Sequence, residues 1–582
     1  NENRSLKENP GFDVVVGNPP YELIIGKFYA EVLPFISVKY NEFSGRKNTY
    51  WLFIDIGNYL LKKEGRHSYI VPSSLLCDKK TKILREKIFL NAYTYQIISF
   101  KESAKVFENV LQSVCIFVYI KRKLHPESDS VKLALGLKEP KIPQESKFIS
   151  RRWNKILEIS DELAIPLHFS DEIESILLRM KKEEKFASLC YIYEGDVNLT
   201  THAFAFTNKE TGYPLIRGDQ IEPYRIKNWI EAGITKKRFV DLSKLKSIIN
   251  ISNIASSRII TQHIANMELI DRLKAALTEK NYVVGNSCNV ILIRDERISQ
   301  KTLLGIINST LCEFLFRLFS TNNNINIYEI ESLPLVRATS DQQAPIIFLV
   351  DAIIQKKKEY HAVSQNIEDY VNFERTEFIR LDEFLKKTTE NFEILSSLEV
   401  KNDNFDALRI KIDDEQVILE YGIRRKIEEY EFDDENEQKE IKNKYIIDWF
   451  EAGKGKIKNI EAIEFLSKVL ERIKNFSKAK QKSIWQKIAE VKIPEFTEEV
   501  KNGFMEYKSA IEKAKTLDEE ITKIDRAIDR LVYDLYGLTE EEIKVVEKSV
   551  WGERFEEMYS KLPSREDAIK LSEVLNNLQK ND

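Results

Sequence analysis

Metal-ligand spacing is missing from this sequence. Its five cysteines (Cys77, Cys115, Cys190, Cys288, Cys312) are scattered, and its six histidines form no His-x-x-x-His pair, so no metal centre is expected. The cysteines lie mostly in apolar surroundings, which predicts reduced, buried thiols in a cytoplasmic protein. No apolar run reaches the ~18 residues of a membrane helix, so no membrane partner is expected. A signal-peptide core is also missing from the first residues. Neither charge dominates: 89 Lys and Arg stand against 93 Asp and Glu, a net charge of -4, so any face for nucleic acid has to be local. An initiating Met is lacking too. Asn1 opens a polar stretch that runs straight into the first motif, and the reading is of a piece of a longer polypeptide.

What is present organises into several domains. A chain of 582 residues suggests three or four at roughly 100–200 residues each. Residues 1–123 alternate short β-branched runs with helical stretches, an α/β pattern. Strands are expected at 12–16, 69–71, 95–100 and 114–121, with helices at 50–62 and 83–91. Residues 124–184 read as a connector: a polar stretch with Pro126, Pro140 and Pro143, then an amphipathic helix near 171–182. Residues 185–340 mix short strands, turns and helices in an α+β pattern. Residues 341–582, poor in Pro and Gly and rich in Lys and Glu, read as mostly α-helical and partly coiled coil, with one small hairpin between 400 and 421. Within it, residues 428–440 are acidic and read as a solvated face.

The strongest local signal is Asn18-Pro19-Pro20-Tyr21, directly after the apolar run Val14-Val15-Val16-Gly17. Asn-Pro and Pro-Pro are common turn dipeptides, but a turn at the end of a buried strand is where α/β folds place their sites. The residue types suit chemistry on an amino nitrogen such as adenine N6, whose lone pair is delocalised into the ring. Two acceptors on its N–H bonds, the Asn18 side-chain oxygen and the Pro19 carbonyl, would draw it toward tetrahedral geometry. Pro20 stiffens the loop and so preorganises them. Tyr21 offers a face for a base that has left the stack.

This segment resembles motif IV of S-adenosylmethionine-dependent amino-methyltransferases. The helix opening Asn48-Thr49-Tyr50-Trp51, the strand Gly65-Arg66-His67-Ser68-Tyr69-Ile70-Val71-Pro72, and Val106-Phe107 ahead of the strand from Val114 match further segments in order. The order resembles the gamma class of adenine-N6 DNA methyltransferases, and within it the large restriction–modification methylases with a TaqI-like specificity domain. The resemblance implies a partial Rossmann-like methyltransferase sheet in 1–123. It makes Asn18, Pro19, Pro20 and Tyr21 catalytic, and Tyr21 with Phe107 the partners of the extruded adenine. It also implies S-adenosylmethionine as cofactor. The family's Gly-rich cofactor loop and ribose-binding acid precede this motif and are not in this chain, so most of that pocket is expected in an N-terminal methyltransferase region, in the same or another chain. A nuclease core would also lie there.

Residues 185–340 resemble the TaqI-like target-recognition domain at 194–200, at Arg217-Gly218-Asp219-Gln220-Ile221 and at 322–334. The charge pattern agrees. Between Pro214 and His263 nine Lys and Arg face four acids, a local +5, with Tyr224, Trp229 and Phe239 interleaved. Arg217, Arg225, Lys227, Lys236, Lys237, Arg238 and Arg258 are the candidate contacts to double-stranded DNA. Residues 524–539 resemble the closing helix of the same family, with Gly537 as C-cap and Thr539 as the next N-cap. Two other readings remain: a non-catalytic DNA-recognition subunit, and a protein methyltransferase acting on glutamine amide nitrogen.

Overall fold

A computed structural model describes residues 9–24, 30, 31, 34, 48–107, 112–160, 162–245, 249–267, 269–399, 403–427, 430–432, 438–440, 444–479 and 481–581. The chain divides into two compact units, Asn1–Lys358 with Glu519–Asp582, and Glu359–Asp518.

The first unit begins with a six-stranded mixed sheet. Its elements are β1 (Phe12–Gly17), α1 (Thr49–Leu60), β2 (Leu61–Pro72), β3 (Tyr93–Phe100), β4 (Val114–Ile120), β5 (Ser130–Leu137) and β6 (Ile149–Arg152). The order across the sheet is β1-β2-β4-β3-β5-β6. β1 pairs with β2 in parallel, β4 runs antiparallel between β2 and β3, and β3 pairs with β5 in parallel. The central strand β4 is an unbroken apolar run, Val-Cys-Ile-Phe-Val-Tyr-Ile, as a strand covered on both faces requires. The directions bring the ends of β1, β2 and β3 (Gly17, Pro72, Phe100) to one edge of the sheet, together with the start of β4: Val114 is in register with both Pro72 and Phe100. The strands and helices expected in 12–121 are present, but β1, expected as a buried strand, is an exposed edge strand, because only β2 pairs with it.

The expected connector differs. β5 and β6, inside 124–184, add two strands to the sheet, and Val131 and Leu133 are buried on it. The alternating apolar positions of β5 were masked by the surrounding prolines and lysines. The helix Asp171–Met180 does follow, capped by Ser170, whose side chain accepts from the Ile173 amide.

Beyond it lies a four-stranded antiparallel sheet in the order Ala275–Leu277, Ile259–Gln262, Cys288–Ile293, Cys190–Glu194. The helices Gln300–Asn308 and Thr310–Phe319 are almost wholly buried. Helix Glu498–Leu535 contributes Ile524, Ala527, Ile528 and Val532 to the same core. Gly305 permits close packing there, since a Cβ would stand 3.0 Å from Ile346 and 3.5 Å from Ile528. Gly537 ends the helix with φ +66°, and Thr539 caps the next helix, Glu540–Trp551, in a capping box with Glu542.

The second unit corrects the helical expectation for 341–582. It holds a four-stranded antiparallel sheet, Thr389–Ile394, Lys444–Ile457, Gln416–Ile427 and Ala407–Asp413 in spatial order. The expected hairpin is its last pair. The helices Leu381–Thr388, Ile460–Leu470 and Ile484–Ala489 pack on the face that carries Leu408, Leu419 and Ala452. The acidic stretch 428–440 lies largely outside the described residues.

Candidate functional site

The Asn18-Pro19-Pro20-Tyr21 loop leaves the end of β1 at the shared strand-end edge. Three partners hold it. Thr49, first residue of α1, donates its hydroxyl to the Pro20 carbonyl at 2.6 Å and accepts from the Glu22 amide at 3.1 Å. Asn48, the N-cap, accepts from the Tyr50 amide and donates to the Tyr21 carbonyl at 3.1 Å. The Tyr21 hydroxyl lies 2.7 Å from Asn18 Oδ1 and 2.9 Å from the Ile70 carbonyl of β2, and can donate to either.

Two acceptors of the loop keep capacity for a further donor. Asn18 is exposed, and its amide oxygen has two lone pairs, so Tyr21 can fix the side chain with one and leave the other. Pro20 and Tyr21 carbonyls are both engaged. Among the described residues no donor engages the Pro19 carbonyl.

Tyr21 is half-buried, edge-to-face with Tyr50 at 6.4 Å between ring centres. Burial raises its hydroxyl well above the ordinary value, with Cys115 adding to the effect, so it stays protonated and a donor. Phe107 and Tyr21 pack against one apolar cluster, Ile98, Phe100, Ala104, Val114 and Ala134, so the fold brings together two residues 86 apart in sequence. His67 on β2 is fully buried against Tyr69, Phe117 and Tyr119, and burial lowers its pKa to about 3. It is neutral at pH 7 and fills space that Gly57 leaves, where a Cβ would stand 2.4 Å from Nε2. The positioning roles of Asn48 and Thr49 were missed in the sequence; an Asn-Thr pair at a helix start was the available signal.

The basic residues separate into two groups. Arg258 is fully buried, with Nη1 bonded to Asp196 at 2.7 Å and to Tyr193, and Nη2 to the Tyr282 carbonyl. It is a structural ion pair and leaves the set of DNA contacts. Arg225 is held by Glu222 at 3.0 Å and Glu231 at 2.5 Å, and Lys227 by Glu222 at 3.3 Å, so their charges are largely answered within the protein. The other four surround one loop. Lys236 and Lys237 are exposed. Arg238 lies over the Trp229 ring at 5.7 Å. Arg217 donates to the Lys237 carbonyl at 2.7 Å. Its guanidinium is half-buried without a carboxylate bonded to it among the described residues, and its Nη1 is unsatisfied; burial lowers its pKa, with Asp219 opposing. A desolvated cation without a counter-ion is suited to an incoming anion.

Residues 1–107 match the family model of the Eco57I restriction-modification methylase, and residues 213–335 that of the TaqI-like C-terminal specificity domain. Among curated proteins the chain is similar to RM.MjaORFECS2P, a type II restriction enzyme and methyltransferase inferred in Methanocaldococcus jannaschii. The two are 28% identical over 355 residues, 57% of this chain and 28% of that one. The type II restriction enzyme and methyltransferase RM.Eco57I of Escherichia coli is 32% identical over 119 residues, 20% of this chain and 12% of that one. The chain thus spans little more than a quarter of the length of the first relative and an eighth of the second. Solved structures similar to it include the type IIL restriction-modification enzyme MmeI with DNA (TM-score 0.39, 11% identity, 60% of this chain and 49% of that one). Another is the type I restriction-modification S subunit of M. genitalium (TM-score 0.30, 15% identity, 62% and 96%). In this chain a segment similar to the Eco57I restriction-modification methylase is followed by one similar to the TaqI-like C-terminal specificity domain.

Proposed function

We propose that the chain is the target-base half and the specificity domain of a site-specific DNA adenine-N6 methyltransferase. The observation that carries this reading is the pinned loop at the strand-end edge, with the exposed Asn18 side-chain oxygen and a Pro19 carbonyl to which no described residue donates, near the apolar cluster shared by Tyr21 and Phe107. An extruded adenine lies against Tyr21 with Phe107 closing the pocket, and its two N6–H bonds point at the two acceptors. They hold electron density on the nitrogen where it is needed for attack. S-adenosylmethionine supplies the methyl group. The loop residues Asn18–Tyr21 face that cofactor's methyl-bearing end in this reading.

β1 and α1 carry exposed apolar side chains that suit a packing partner. Phe12, Val14 and Val16 are 60%, 57% and 75% exposed on an edge strand, and Phe53, Ile56 and Leu60 form an exposed apolar stripe on α1. Contiguous apolar surface of this kind is covered in a working protein.

The test is product analysis. The full-length protein with S-adenosylmethionine and duplex DNA should yield N6-methyladenine on nucleoside digestion. Methyl groups on cytosine, or on protein only, would overturn the reading. Thr49→Val, which unpins Pro20 and Glu22, should slow single-turnover methylation by about ten- to a hundredfold through misplacement of the acceptors, with DNA affinity unchanged. An unchanged rate would show that Thr49 does not position the loop. Neutralising Lys236, Lys237 and Arg238 together should flatten the salt dependence of binding by about one slope unit for each phosphate left unneutralised, on all sequences alike. A wild-type slope would remove these residues from the interface.

A further inference from the structure

Ile230 is an isoleucine 82% exposed in the loop that carries Lys236, Lys237 and Arg238 and whose Lys237 carbonyl accepts from Arg217. Loop tips are usually polar, and this one is built with care. Gly233 donates to the Ile230 carbonyl at 2.9 Å and Ile234 to the Trp229 carbonyl at 2.6 Å, with Gly233 at φ +68° closing the turn. Asn228 and Glu231 clamp each other: the Glu231 amide donates to Asn228 Oδ1 at 3.0 Å and the Asn228 amide to Glu231 Oε2 at 2.9 Å. Arg225 grips the same carboxylate. Trp229, next to Ile230, is wedged edge-to-face against Phe239 at 5.0 Å and under Arg238. A rigid turn therefore presents one apolar side chain to solvent among cations suited to phosphates.

Resting on the DNA reading above, we infer that Ile230 is an apolar wedge that enters the base stack when the specificity domain engages DNA. Apolar side chains inserted between base steps unstack them and open the duplex. With Arg217, Lys236, Lys237 and Arg238 on the backbone, the loop is tethered on a charged rim while its tip meets the bases. Preorganisation matters here, since a floppy tip would lose on ordering what it gains on insertion. The wedge lowers the cost of extruding the adenine.

The experiment uses the full-length protein on a duplex carrying the site it methylates, located by mapping the methyl groups, and on the same duplex with the target pair mismatched. A mismatched base costs less to extrude. Ile230→Ala should weaken binding to the matched site about fivefold or more, recover to within about twofold of wild type on the mismatched site, and leave the salt slope unchanged, whereas Ile230→Phe should retain binding. Equal loss on both duplexes, or no loss on either, overturns the wedge. A parallel variant, Lys236→Ala with Lys237→Ala, separates the two levels. If it binds weakly while Ile230→Ala binds like wild type, the wedge alone fails. If it too binds like wild type, the DNA surface itself is misplaced.

Discussion

Asn18→Ala in the full-length protein is expected to lower the methylation rate at saturating substrates by about a hundredfold or more, while DNA affinity stays nearly intact. The side chain is exposed and bonded only to Tyr21 among the described residues, so its loss leaves no cavity and the fold should tolerate it. What disappears is an acceptor on the reacting nitrogen, and an interaction made in the transition state shows in the rate rather than in binding. Asn18→Asp is an informative companion. It keeps an oxygen in place and should retain more activity than Ala, because the role requires an acceptor and not a donor. The measurement is a single-turnover methyl-transfer rate beside an equilibrium binding curve. A fall smaller than about tenfold would mean that Asn18 does not act on the nitrogen.

The second large effect is on stability. Arg526 is fully buried, bonded to Asp529 at 2.5 Å and to Glu547 at 2.6 Å. Asp529 in turn accepts from the Thr310 amide at 2.7 Å and hydroxyl at 2.9 Å, and Tyr533 donates to Glu547 at 2.6 Å. The network ties the helix Glu498–Leu535 to the helix Thr310–Phe319. Arg526→Leu leaves two buried carboxylates without their cation, and breaking a buried ion pair from one side costs about 3–5 kcal/mol. Urea unfolding followed by circular dichroism should show the first unit opening at a clearly lower midpoint. Adding Asp529→Asn and Glu547→Gln removes the stranded charges and should restore part of the loss. An unshifted midpoint for Arg526→Leu, or no recovery in the triple variant, would refute this account.

The failures of the sequence reading share one cause. Val131 and Leu133 sit in a stretch rich in Pro and Lys, and only their pairing with β3 makes that stretch part of the sheet. The strand Lys444–Ile457 lies in a Lys- and Glu-rich region that reads as helical, and its partners start 28 and 55 residues earlier. Pairing at such separations leaves no local period. Charge behaves the same way. In the sequence Arg258 and Lys237 are both basic residues in a basic stretch. Asp196, 62 residues away, turns the first into a buried ion pair, while the second stands exposed.

By itself the sequence determined a strand and the stiff turn that leaves it. A β-branched run ending in Gly-Asn-Pro-Pro-Tyr fixes a strand followed by a stiff turn, because both are local steric preferences. The capping signal at Thr539 fixed a helix start for the same reason. Only the tertiary structure decided that Thr49 and Asn48 would hold the loop, that Tyr21 and Phe107 would share one cluster, and that Ile230 would stand exposed on a clamped turn. It alone also sorted the cations into paired and available ones. Apart from the Ile230 turn and the pairings of Arg225 and Lys227, which close within six residues, each depends on which surfaces meet after the chain has closed loops of tens of residues. Such meetings are set by the packing of whole elements against one another, which no local window of sequence contains.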